Sequence, residues 1–138
     1  MFDIYQINWH SNLTDIPENL ENWLFDDMSL TAKLKQKYSN FAVEVISESQ
    51  INNGFIKREV KLCDGKIPVV YAISIIPQNA IELINLGNKP LGEILFNDGK
   101  RLKILVAKSG KFWGRKSIFS FQKQEVIVCE FFLDELLK

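Results

Sequence analysis

Two charged residues stand in strand-like stretches that are otherwise apolar. Arg58 lies in Phe55-Ile56-Lys57-Arg58-Glu59-Val60, on the same alternation as Ile56, Val60 and Leu62. Glu130 lies in Val126-Ile127-Val128-Cys129-Glu130-Phe131-Phe132, on the same alternation as Val126 and Val128. Alternate residues of a strand share a face, so both side chains are expected to point inward. A buried charge is costly unless it is paired or meets a ligand. Three readings follow: Arg58 and Glu130 pair with each other, each is exposed at a strand edge, or both face a bound molecule. For the last, an arginine can hold a planar carboxylate through two charge-assisted hydrogen bonds. A carboxylate can orient a hydroxyl or move a proton.

Other groups offer less chemistry. Cys63 and Cys129 each sit in an apolar run with no histidine nearby in sequence, so they are expected to be reduced core thiols rather than nucleophiles. His10 is the single histidine and is expected to be structural or exposed. One histidine and two cysteines cannot supply the paired ligands of a zinc site. No phosphate-binding glycine loop, nucleophile elbow or metal-binding histidine pair occurs, and metal chemistry is not expected.

The net charge is zero but unevenly spread. Residues 1–32 carry Asp3, Asp15, Glu18, Glu21, Asp26 and Asp27 with no lysine or arginine. Residues 99–117 carry Lys100, Arg101, Lys103, Lys108, Lys111, Arg115 and Lys116 with no acid. That basic stretch reads as a strand pair with solvated lysines, as a field steering a small anion, or, with Phe112 and Trp113, as a grip on single-stranded nucleic acid. Overall neutrality weighs against a dedicated nucleic-acid binder.

The elements that must position these residues are read from pattern. With 138 residues, 46% of them apolar, the chain can bury its own core, and residues 1–138 read as a single domain. No apolar run approaches the ~18–20 residues of a membrane span. Met1-Phe2-Asp3-Ile4 is unlike a secretory signal, and a cytoplasmic protein is expected. Pro17 with Leu20, Trp23 and Leu24 predicts a helix at about 17–27, and Ser29 can cap another at about 30–38. Strands are predicted from Phe41, over 55–63 and over 67–76, with turns at Asn52-Asn53-Gly54 and Asp64-Gly65. Two short helices over 78–86 and 90–96 precede strands at about 101–107, 114–121 and 125–133. Hairpin-length connections imply antiparallel pairing. The predicted class is α+β, a single antiparallel sheet of about six strands with short helices on one face.

Five segments add a resemblance: Asn22-Trp23-Leu24-Phe25-Asp26-Asp27, Arg58-Glu59-Val60-Lys61-Leu62-Cys63-Asp64-Gly65, Leu86-Gly87-Asn88-Lys89-Pro90-Leu91-Gly92, Phe112-Trp113-Gly114-Arg115-Lys116-Ser117 and Cys129-Glu130-Phe131-Phe132-Leu133. In this order, over about residues 16–133, they resemble the chorismate pyruvate-lyase family. The resemblance implies an antiparallel sheet whose helical flaps close an internal ligand cavity. It also implies conversion of chorismate to 4-hydroxybenzoate and pyruvate, the first committed step of ubiquinone biosynthesis, without a cofactor. Carried over by motif, Arg58 binds the substrate carboxylate, the Leu91 amide meets that carboxylate, Glu130 lies near the substrate hydroxyl, and Leu30 lines the site. Many members carry Arg-Thr-x-x-Pro where this chain has Ile73-Ser74-Ile75-Ile76-Pro77. The fold is shared with ligand-sensing (UTRA) domains of bacterial transcription regulators, so a non-catalytic sensor of small aromatic acids is the alternative.

Overall fold

The structure, a computed structural model, describes residues 2–12, 14–25, 29–52, 54–84 and 86–138. Helices α1 (Glu18–Leu24) and α2 (Leu30–Lys37) precede strands β1 (Phe41–Ile51), β2 (Phe55–Asp64) and β3 (Ile67–Pro77). A 3-10 turn at Ile81–Leu83 and helix α3 (Leu91–Asp98) lead to β4 (Lys100–Ser109), β5 (Phe112–Phe121) and β6 (Gln124–Phe132). A second 3-10 turn, Asp134–Leu137, follows.

The six strands form one sheet in the order β1-β2-β3-β6-β5-β4, every pair antiparallel. Two three-stranded meanders therefore meet along β3 and β6, where residues 70–75 pair with 127–132. Turn chemistry sets the hairpins. Gly65 and Gly110 take positive φ at two of them, while the β5–β6 turn places Gln122 and Lys123 at φ 49° and 65° without a glycine.

Register fixes what each face carries. One face presents Arg58, Val60 and Leu62 from β2, Val70, Ala72 and Ser74 from β3, Val128, Glu130 and Phe132 from β6, and Trp113, Arg115 and Ser117 from β5. Helices cover this face in two lobes. Leu20, Leu24, Leu30 and Leu34 of α1 and α2 pack over Val60, Leu62, Val70 and Phe132. Leu83, Leu91 and Leu95, from the 3-10 turn and α3, pack over Ile76, Phe119, Val126 and Val128. The opposite face is covered by the N-terminal segment, whose Phe2 and Ile4 join Tyr71, Ile73, Ile75, Cys129 and Phe131. Phe2 stacks on Phe131 with ring centroids 3.9 Å apart, and His10, exposed, bridges through its backbone to Val106.

The predicted class and all six strands agree with this architecture. Two helices differ. Among the described residues, the segment 78–86 forms only the three-residue 3-10 turn Ile81–Leu83, and Gly87 then turns the chain at φ +60°. The helix predicted to reach residue 27 is α1 through Leu24; residues 26 and 27 lie outside the described residues.

Gly114 is a point of close approach. A Cβ there would stand 2.6 Å from Phe131 Cδ1 and 3.2 Å from the Glu130 carbonyl oxygen. Phe131 cannot swing away cheaply, since it is fully buried under Phe2. Gly114→Ala is expected to lower stability by about 1–3 kcal/mol, the range for overpacking, and denaturant titration checks it. A variant as stable as the parent would contradict the packing described here.

Candidate functional site

Between the two helical lobes the covered face carries its charges. Arg58 is 2% exposed. Its Nη2 donates to the Gly87 carbonyl at 3.1 Å and to the Lys89 carbonyl at 2.9 Å. These bonds hold the loop that feeds α3. Its Nη1 is buried with no hydrogen-bond partner among the described residues, and the Glu48 carboxylate is 4.0 Å away. Burial pulls the Arg58 pKa down from the usual guanidinium value, with Glu48 acting against the shift. Arginine nonetheless stays protonated at neutral pH. The group is thus a fixed cation with a donor in need of an acceptor.

Glu130 does not pair with Arg58. Arg115, its neighbour in register across β5 and β6, donates from Nε to Glu130 Oε1 at 2.7 Å, both side chains being buried. The internal Arg58–Glu130 pair considered from the sequence is therefore replaced by Arg115–Glu130. The basic stretch is correspondingly divided. Lys100, Lys103, Lys108 and Lys111 are exposed, as a solvated strand pair requires, but Arg115 is inside.

Two small voids adjoin these residues. One, of about 30 Å³, is lined by Arg58, Ser74, Leu91 and Glu130; the other, of about 20 Å³, by Leu30, Arg101, Arg115 and Glu130. Thr31, Gly92, Val128 and Glu130 line both, so the voids are neighbours across the Glu130 carboxylate. Each has room for about one or two water molecules, far below the ~300 Å³ or more of an open ligand pocket. Their roof is α2 and α3, bridged at the surface by Lys35 and Glu93 at 3.2 Å. A larger occupant requires those helices to part, and an exposed ion pair resists that by about 1 kcal/mol or less.

All four residues singled out in the sequence thus border the paired voids: Arg58, Leu91 and Glu130 the first, Leu30 and Glu130 the second. Leu91 opens α3 directly after Pro90, and no side chain caps that helix. The amides of its first turn have no intrahelical acceptors and carry the positive end of the helix dipole. Together with Arg58 Nη1 they form a donor set suited to a carboxylate.

Arg115, Thr31 and Arg101 are among the lining residues that escaped the sequence reading. Arg115 shares the buried alternation Trp113-Arg115-Ser117-Phe119-Phe121, a signal available in the sequence but obscured by neighbouring lysines. Thr31 is 3% exposed one turn before Leu34 on α2, where a polar residue read as surface. Arg101 reaches this face because the β4–β5 register shifts between Arg101 and Lys103. Such a bulge reverses which residues face inward, and alternation alone cannot locate it. Ile73, by contrast, lies on the opposite face among Cys129 and Phe131. It is not part of the cavity lining.

Among the described residues, the charged groups lining the two voids are Arg58, Arg101, Arg115 and a single acid, Glu130. Comparison with known proteins sharpens this. Residues 50–137 match the sequence family described as chorismate lyase. A probable chorismate pyruvate-lyase of Pseudoalteromonas translucida is 35% identical, covering 89% of this chain and 88% of that protein. Proteins of the same description from Pseudoalteromonas atlantica and a Shewanella strain are 31% and 32% identical, covering 96% and 85% of this chain and 89% and 81% of their own lengths. The chain belongs to the chorismate lyase family.

Two outcomes are expected. Gly92 lines both voids, and a Cβ there would meet only Thr31 Oγ1 at 3.8 Å, an ordinary contact. Gly92→Ala should therefore raise stability by about 0.4–1 kcal/mol while weakening binding of a small aromatic acid, as read by paired melts and calorimetric titrations. Loss of stability, or unchanged affinity, would remove Gly92 from the lining. The second concerns Cys129, whose thiol pKa is pushed up to about 12 by burial. The folded protein holds this proton more tightly than the unfolded chain, whose thiol titrates near 9.0. Its contribution to stability is complete below about pH 9 and is lost as pH rises toward 12. An aromatic disulfide reagent at pH 8 should label Cys129 only after denaturation; rapid labelling of the native protein at that residue would contradict its burial.

Proposed function

We infer that the chain converts chorismate to 4-hydroxybenzoate and pyruvate, the step that commits chorismate to ubiquinone biosynthesis. One observation carries this beyond the family: the buried, half-satisfied guanidinium of Arg58, beside the uncapped start of α3 and across a small void from Glu130. A ring carboxylate placed there accepts from Arg58 Nη1 and from the Leu91 amide. The ring then extends over Val128 toward Glu130, with Leu30 closing the far chamber.

The reaction needs little more. The C3–O bond breaks and its electron pair leaves with enolpyruvate; the C4 proton departs and its pair completes the aromatic ring; a proton added at the enolpyruvate methylene gives pyruvate. Aromatisation supplies the driving force, so the protein's tasks are to exclude water, fix the dianion and offset charge as the ether cleaves. Glu130, which accepts from Arg115 Nε, then accepts from the C4 hydroxyl or carries the C4 proton. Because the cavity has to open for a ring to enter or leave, product release is expected to limit turnover.

Purified protein incubated with chorismate should yield equal amounts of 4-hydroxybenzoate and pyruvate, measured by chromatography. Tight binding of 4-hydroxybenzoate without turnover would overturn the lyase reading in favour of a sensor. Arg58→Ala should weaken 4-hydroxybenzoate binding by about 2–4 kcal/mol, the range for truncating a buried charged contact. Arg58→Lys should restore part of this, since an ammonium lacks the planar fork. Unchanged affinity in both variants would remove Arg58 from the carboxylate site.

A further inference from the structure

The carboxyl end of α1 is satisfied from outside the helix. An α-helix leaves its last four carbonyls without intrahelical donors, and here they belong to Glu21, Asn22, Trp23 and Leu24. Glu21 accepts from the Phe25 amide at 3.0 Å. Asn22 accepts from Lys33 Nζ of α2 at 2.8 Å. Trp23 and Leu24 both accept from Arg115 Nη1, at 3.0 and 3.4 Å. No glycine closes this helix, and two cations meet the negative end of its dipole instead.

The same guanidinium holds Glu130 through Nε at 2.7 Å. Arg115 is thus shared between a helix end and the central acid of the cavity. Its planar group is rigid, so the direction in which Nη1 meets α1 fixes the direction in which Nε meets Glu130. Gly114 and Phe131 add to this, because their close packing leaves the strand backbone beneath both residues little room to adjust.

We propose that Arg115 is a positioning residue: it orients the Glu130 carboxylate for the lyase reaction and sets that orientation by its grip on the carboxyl end of α1. The proposal rests on the lyase reading of the cavity. Arg115 acts through Glu130, so its removal costs turnover rather than substrate affinity. Lysine cannot replace it, because a single ammonium cannot serve the helix carbonyls and Glu130 in fixed geometry.

The test uses the full chain with Arg115→Lys, Glu130→Gln and the double variant, assayed on chorismate, together with crystal structures of the wild type, Arg115→Lys and Arg115→Gln. Arg115→Lys should lower kcat at least tenfold with KM within threefold of the parent, and the double variant should be no slower than Glu130→Gln alone. In both single Arg115 variants the Glu130 carboxylate should leave the position it occupies in the wild type. Multiplying effects in the double variant would overturn the proposal. So would a kcat per folded molecule within twofold of the parent for Arg115→Lys, or a Glu130 carboxylate unmoved in Arg115→Lys. Should the wild type fail to turn over chorismate, the lyase reading falls, and with it the contribution of Arg115 to turnover. The crystal structures would still decide whether Arg115 orients Glu130, so the two failures are told apart.

Discussion

Placing guanidinium groups under a helical layer costs several kcal/mol each unless oxygens meet their donors, and that requirement organises this molecule. Arg58 finds its oxygens on Gly87 and Lys89, in the loop before α3. Arg115 finds its oxygens on Trp23 and Leu24, at the end of α1, and on Glu130 beside it in the sheet. The backbone carbonyls of both lobes are therefore tied to charges on the sheet. Apolar packing of leucines decides that the helices cover this face; the two arginines decide where along it each lobe comes to rest.

The two arginines differ in how completely they are served. Arg115 bonds a carboxylate and two carbonyls, whereas Arg58 keeps one buried nitrogen without a hydrogen-bond partner among the described residues, the Glu48 carboxylate standing 4.0 Å off. A structure stabilised only for its own sake would leave no such deficit, since an unmet buried donor costs about 1–3 kcal/mol, or more when charged. The deficit lies beside the start of an uncapped helix. On the function proposed above, a substrate carboxylate at that nitrogen would supply the missing acceptor.

Much of this was legible in the sequence. Alternation, and for β3 a continuous apolar run closed by Pro77, placed the strands, and the turn residues Asp64-Gly65 and Asn97-Asp98-Gly99 marked where the chain reverses or changes element. Arg58 and Glu130 stood out because a charge on an apolar alternation is conspicuous. Arg115 obeys the same rule, yet the lysines at 100, 103, 108, 111 and 116 around it give the stretch the composition of a solvated surface. Arg101 was beyond reach, because a bulge changes phase without changing composition. The pairing of Glu130 was also beyond reach, since Arg58 and Arg115 lie on the same sheet face and only strand order makes one of them adjacent. Ile73 lies on the far face because its neighbours Ala72 and Ser74 face the helices, as alternation along β3 requires.

The meeting of two meanders along β3 and β6 has a kinetic consequence. Arg58 belongs to the first meander, while Arg115 and Glu130 belong to the second. Each half can assemble from short-range hairpins, but the seam joins residues 70–75 to 127–132 and closes a long loop, the slow kind of contact. Before the halves dock there is no cavity, so a small acid has nothing to grip in either half and cannot template its formation. On the function proposed above, occupancy would deepen the native well without lowering the barrier into it, and a loaded molecule would differ from an empty one chiefly in how long it survives before the seam reopens.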